Sequence, residues 1–287
     1  MSARADTPRD LRIRSRWSPH VTTARYIALF ALVCVLLIPV YVLLVTAMKD
    51  PSQVSPRQMW ELPDTLSLDT FRTVWPRLED GLKNSLIMAV PASLISSLLG
   101  AANGFVLSKW RFPGADFVFA LMLFGMFIPY QSIIIPLRQV LAEANLTNLL
   151  GLMLVHIIYG LPITTLIFRS YFASISDEII DASQVDGAGL LRSFAYVALP
   201  IALPAFAVSI IWQFTQAWND FLFGLVVVTR ATDWPATVAL NNTAGSQVVP
   251  YHEAMAAAVL ATIPTLIVYI LMGRFFMRGL MAGALKG

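Results

Sequence analysis

The chain has 287 residues, 57% hydrophobic and 13% charged, with a net charge of +3 and a mean hydropathy of +0.69. Soluble domains carry roughly a quarter charged residues, so the composition excludes a water-soluble globular protein and indicates an integral membrane one. The small basic excess requires no nucleic-acid partner, because membrane proteins carry a Lys/Arg bias on one side of the bilayer.

Six charge-free intervals follow one another along the chain: Tyr26–Met48, Asn84–Ser108, Phe117–Leu137, Ala144–Phe168, Ser193–Asn219 and Ala254–Gly273. About 20 apolar residues cross a hydrocarbon core of ~30 Å as a helix. In lipid the backbone must bond to itself, and long runs without strand alternation favour helices over a barrel. The expectation is an all-α membrane protein of six transmembrane helices. It divides into an N-terminal tail (1–25), a six-span domain (26–276) and a C-terminal tail (277–287).

With six spans both termini share a side. That side carries Arg4, Arg9, Arg12, Arg14, Arg16, Arg25, Lys109, Arg111, Arg169, Arg192, Arg274, Arg278 and Lys286. The other carries the smaller set Lys49, Arg57, Arg72, Arg77, Lys83, Arg138 and Arg230. Positive charge concentrates inside, which predicts cytoplasmic termini. The first apolar run is longer than a signal core and is read as an uncleaved span. Cys34 is the single cysteine, so no disulfide framework exists.

Between spans one and two, Lys49–Lys83 holds four prolines with Trp60, Phe71 and Trp75, which suggests segments lying at the headgroup level. The loop from Arg230 to Glu253, with Asn241, Asn242 and Gly245, has turn-rich make-up. It reads as a protrusion that meets an external partner, or as a solvated connector.

The loop between spans four and five (173–203) differs. Ser174 or Ser176 can cap a helix with Asp177 and Glu178 in its first turn. Asp181 and Val185 then share a face, and Gly187 permits a turn. A second short helix from about Leu190 is expected to stop before Pro200, since the residue preceding proline avoids the α region. The result is a helix–turn–helix at the membrane surface, which could also be an ordinary amphipathic connector.

Asp181-Ala182-Ser183, Gly187, Val197 and Leu199-Pro200 resemble the cytoplasmic signature of the permeases of ATP-binding-cassette importers. That signature reads Glu-Ala-Ala, three residues, Gly, nine residues, Ile, one residue, Leu-Pro. The chain departs from it with Asp at 181 and Ser at 183. Leu66-Ser67-Leu68-Asp69 with Phe71, Trp218-Asn219-Asp220 and the tail from Arg278-Gly279-Leu280 to Lys286-Gly287 are similar to the maltose-permease-like half of carbohydrate importers. His156 to Pro162 and Leu240-Asn241-Asn242 look closest to glucose/mannose-type permeases. The resemblance implies a bacterial inner-membrane, multi-pass subunit forming half of a sugar pore that works by alternating access. Its implied partners are a homologous second permease, an ATPase dimer holding ATP and Mg, an extracytoplasmic sugar-binding protein and membrane lipid. The segment would be the cytoplasmic coupling helix between spans 4 and 5. Glu178, Asp181, Ala182, Ser183, Val185, Asp186, Gly187, Leu199 and Pro200 would make the ATPase contact.

The missing motifs agree. No Gly-rich loop ending in Gly-Lys-Ser/Thr is present, and His20, His156 and His252 form no metal-ligand spacing. No cofactor and no catalytic residue is expected on this chain. Intramembrane polar groups often line a path, which selects Tyr130, Gln131, His156, Tyr159, Gln213, Gln216, Asn219 and Asp220. The alternative roles are helix ties or caps for Asn219 and Asp220, and packing for His156. An ion-coupled transporter or channel, the competing class, usually buries several ionisable groups. Asp220 is the one clear example here. A polytopic membrane enzyme would need a nucleophile or metal set that is not evident.

Overall fold

The computed structural model describes residues 19–55, 57–110, 112–244 and 250–284. Gly245, Arg111, Lys286 and the arginines at 4, 9, 12, 14 and 16 lie outside these. The described residues form helices joined by turns and by one longer connection between residues 47 and 69, without a strand. In chain order these are α1 (Pro19–Ala47), α2 (Asp69–Lys109), α3 (Ala115–Met126), α4 (Tyr130–Glu143), α5 (Leu149–Ala173) and α6 (Asp177–Val185). Then come α7 (Leu190–Arg192), a π-helical segment (Ser193–Ala198), α8 (Leu199–Ile201) and α9 (Leu203–Asn219). The last are α10 (Leu222–Val227), α11 (Ala236–Ala244) and α12 (Tyr251–Ala284).

Four helices, α1, α2, α5 and α12, are each long and apolar enough to cross a membrane. Two bent pairs bring the number to six when each counts as one span. The expected six spans are thus reached with two of them bent. α3 and α4 meet at 95°, because Pro129 lacks an N–H and takes an extended ψ of 120°. The fifth interval bends by 79° between Leu190–Ile201 and Leu203–Asn219, with Pro204 in the first turn of α9. Alone, the 12 residues of α3 reach only about 18 Å.

Three further differences have local causes. The arm from Leu190 does not stop before Pro200. It widens into the π-helical segment, where Leu199 N–H bonds back to Phe194 O, and runs on to Ile201. A wider turn moves the carbonyl that the proline ring would otherwise strike. Residues Asp69–Lys83, expected to lie at the headgroup level, are helical and continuous with the second span. α2 has 41 residues, about 60 Å at 1.5 Å per residue, so one end projects well beyond a bilayer. Helix extends into both of the expected tails, since α1 begins at Pro19 and α12 continues to Ala284.

α2 and α5 form the most extensive helix pair. Lipid tails are as apolar as Leu, so helices in a bilayer hold together through close packing and interhelical hydrogen bonds. The seam has both. A Cβ on Gly100 would lie 2.3 Å from Thr164 Oγ1, and one on Gly104 would lie 2.6 Å from Arg169 N. Thr164 Oγ1 donates to Ser96 O at 3.0 Å and to Gly160 O at 2.9 Å. Ser97 and Ser209 hydroxyls, 2.8 Å apart, add α9 to the pair. α1 by contrast exposes Tyr26, Phe30 and Leu36.

The seam predicts a steric asymmetry. Gly104→Leu meets backbone that cannot step aside, and overpacking typically costs ~1–3 kcal/mol. Thermal unfolding in detergent should show a clear fall in apparent Tm. Gly273→Ala, where nothing lies within 4 Å of the new Cβ, should leave it unchanged.

Candidate functional site

The surface arm begins at α6. Ser176, not Ser174, is its cap and accepts from Glu178 N–H at 3.3 Å. Asp177 and Glu178 occupy the first turn, where a carboxylate meets the positive end of the helix dipole. At the other end Gly187 has φ +82°. Its N–H donates to Gln184 O, and that of Ala188 to Ser183 O, both at 2.9 Å. Nothing lies within 4 Å of a Cβ at 187, so the glycine is required by backbone conformation rather than by space.

Of two polar contacts, the first holds this arm against the bundle and the second joins its two limbs. Lys109, almost fully buried at the end of α2, donates from Nζ to Ile175 O at 2.6 Å and to the Asp177 carboxylate. The buried hydroxyls of Ser183 and Ser193 lie 2.8 Å apart, and Ser183 Oγ also donates to Ile180 O at 2.7 Å. Ile180 packs with Phe105, Phe168 and Phe172. What remains outward is Glu178, Asp181, Ala182, Asp186 and Val185, the last 88% exposed. Leu199 is half-buried and Pro200 exposed, both beyond the π-helical segment. Val185 and three carboxylates, Glu178, Asp181 and Asp186, thus stand out of a short helix capped at both ends.

The second region is a cavity of about 710 Å³ among α4, α5, α9 and α10. Tyr130, His156, Tyr159, Gln213, Gln216, Asn219 and Asp220 all line it. Gln131 does not; it is exposed one position further round α4. Helix α9 ends at Asn219, and Asp220 takes an extended ψ of 129° before α10 starts. Irregular backbone inside a bilayer is tolerated where it is buried in protein or lines a cavity. Here Gly224 N–H donates to Asp220 Oδ2 at 3.2 Å, and Thr237 Oγ1 donates to Asp220 O at 2.6 Å.

Asp220 Oδ2 sits 3.6 Å from His156 Nε2, close for charges but too long for a hydrogen bond. That nitrogen is buried and has no hydrogen-bond partner. Gln213 Nε2 donates to His156 O at 2.7 Å, which ties α9 to α5. Phe223 packs on Tyr130 at 4.9 Å and on Tyr159 at 5.3 Å between ring centroids, giving the cavity an aromatic wall.

Sequence reading missed Lys109, Ser193, Trp212 and Phe223 as site residues. Lys109 and Ser193 carry no sequence signal, since their partners are set by the fold. Trp212 was readable, because Trp212, Gln216 and Asn219 fall at i, i+4 and i+7 on one helical face. Asn241 and Asn242 stand exposed on α11 rather than in a turn-rich protrusion. That helix is anchored to α2 through Ser85 Oγ, which accepts from Ala236 N–H at 2.8 Å. No group of three or more His, Cys, Asp or Glu placed to hold a metal occurs among the described residues.

Known proteins are similar to this chain. A family model described as a binding-protein-dependent transport system inner membrane component matches residues 92–281. The glucose import system permease protein GlcU of Saccharolobus solfataricus is 30% identical over 265 residues, covering 90% of this chain and 92% of that protein. The xylose/arabinose import permease protein XacI of Haloferax volcanii is 33% identical over 288 residues, covering 89% and 92%. A probable ABC transporter permease of Pyrococcus horikoshii is 45% identical over 169 residues, which span 58% of this chain and 62% of that protein. The crystal structure of a bacterial ABC transporter involved in the import of the acidic polysaccharide alginate shares the fold, with a TM-score of 0.74 at 21% identity over 91% of this chain and 99% of the other. The chain belongs to the inner-membrane permease components of binding-protein-dependent ABC transport systems and is a multi-pass membrane protein.

Proposed function

We propose that this chain is one half of the pore of an ATP-driven sugar importer, with α6 as the element that couples it to an ATPase. The observation that carries the reading is α6 itself. It is capped at both ends, pinned by Lys109, and turns Asp181 and Val185 away from the bundle. The names of GlcU and XacI support a sugar as cargo. In this reading both termini and α6 face the cytoplasm, in line with the basic residues of that side.

A homologous second permease completes the pore against faces such as that of α1. Two ATPase subunits carry ATP and Mg. A sugar-binding protein docks outside on the projecting end of α2 and on α11, where Asn241 and Asn242 are exposed. ATP-driven closure moves α6, and the bends at Phe127–Pro129 and Ala202 let the bundle open to the outer side by alternating access. The chain itself makes and breaks no bond.

Two measurements test the coupling role. Asp181→Lys reverses the outward charge, and Gly187→Val forces a β-branched residue to a positive φ. Both variants should insert normally but lose sugar-stimulated ATP hydrolysis and at least tenfold of uptake in proteoliposomes. Normal transport in both would sink the assignment. The hydroxyl pair makes a separate forecast for stability. Ser183→Ala leaves Ser193 short of its partner and should cost about 1 kcal/mol. Adding Ser193→Ala should recover part of that in a double-mutant unfolding cycle.

A further inference from the structure

Resting on the importer reading, we infer that the cavity of this chain is by itself a site for neutral sugars, that it rejects uronic acids, and that the His156–Asp220 pair reads a sugar hydroxyl. Three features of the cavity carry this. First, its charge is one-sided. Asp220 is the sole carboxylate among the lining residues, and no Lys or Arg joins it. A ligand carboxylate about 5 Å from Asp220, at an effective dielectric near 20, would bind on the order of 100-fold more weakly than its neutral counterpart.

Second, the polar pair has the shape of a missing hydroxyl. His156 Nε2 is buried without a partner, 3.6 Å from Asp220 Oδ2. An oxygen set to one side of the line joining them can lie within hydrogen-bond distance of both atoms. A hydroxyl can donate to the carboxylate while accepting from, or sharing its bond with, the imidazole. An ionised carboxylate has no proton to donate and cannot make that bridge.

Third, the remaining wall suits a ring bearing C–H faces. Tyr130, Tyr159 and Phe223 present aromatic surface with centroids 4.9–6.3 Å apart. The volume of about 710 Å³ falls in the range of roughly 300–1,000 Å³ typical of small-molecule sites.

The test is ligand-observed saturation-transfer NMR on the full-length chain in lipid nanodiscs, without ATPase or binding protein. The probes are glucose, xylose and glucuronate at pH 7. Glucose or xylose ring protons should receive saturation and glucuronate should not. Asp220→Asn keeps an oxygen to accept from Gly224 N–H and should narrow the neutral-to-acidic ratio at least tenfold. Gln216→Lys, at the exposed edge of the cavity, breaks no side-chain hydrogen bond and should bring glucuronate to a comparable signal.

Equal signals for glucose and glucuronate in the unmodified chain overturn the inference. So does the absence of any neutral-sugar signal, or an unchanged ratio in both variants. The readout needs no ATP, so it separates from the coupling experiment. Normal transport by Asp181→Lys and Gly187→Val with neutral selectivity intact would remove the ATPase assignment and leave the site standing. The opposite pair of results would remove only the site.

Discussion

The contact between the backbones of α2 and α5 is the constraint from which the other features follow. Gly100 and Gly104 allow a separation that no larger residue would permit, and Thr164 bonds across it. Because lipid supplies little net drive for apolar helices to associate, this pair works as a stiff strut. Its two halves carry different duties. His156, Tyr159 and Gly160 face the cavity from one half, while Phe168 and Phe172 reach the core beneath α6 from the other. From His156 to Ala173 is about 26 Å of helix, continuous through Pro162, so the cavity wall and the base of the arm belong to one helix.

Around that strut the chain is broken where the strut is not. α9 departs from the arm at a 79° bend and ends at the extended Asp220, so the opposite cavity wall hangs between two breaks in the helix. A rigid helix facing a twice-interrupted one is an arrangement suited to hinge motion. Within the proposed mechanism, a displacement of α6 reaches the cavity through α9, whereas α5 supplies the reference against which it moves.

The spans were legible because removing charge from a membrane segment is a constraint on every residue in it, visible in intervals such as Asn84–Ser108. The bends were less so. Pro129 marks one, but nothing at Ala202 announces the other, because the break depends on how Pro200 and Pro204 are accommodated in three dimensions. The cavity residues were found by polarity alone, and the same criterion also selected Gln131. Successive helical residues point about 100° apart, so Tyr130 and Gln131 cannot both face inward. At the arm, the resemblance located α6 but described Ser183 only as a departure. Its meaning came from Ser193, ten residues on, since a buried hydroxyl is tolerated when it finds a partner.

Asp220 shows why site and fold are hard to separate in this protein. A helix that stops inside a bilayer leaves N–H and C=O groups that lipid cannot satisfy. Asp220 answers part of this directly, its side chain accepting from Gly224 N–H and its carbonyl accepting from Thr237 Oγ1. The carboxylate that allows the helix to break therefore stands in the gap made by that break, beside His156. An alanine there would remove the cap and the cavity's charge together. An amide would retain the first while removing the second, so the two duties of one side chain are separable by chemistry though not by position.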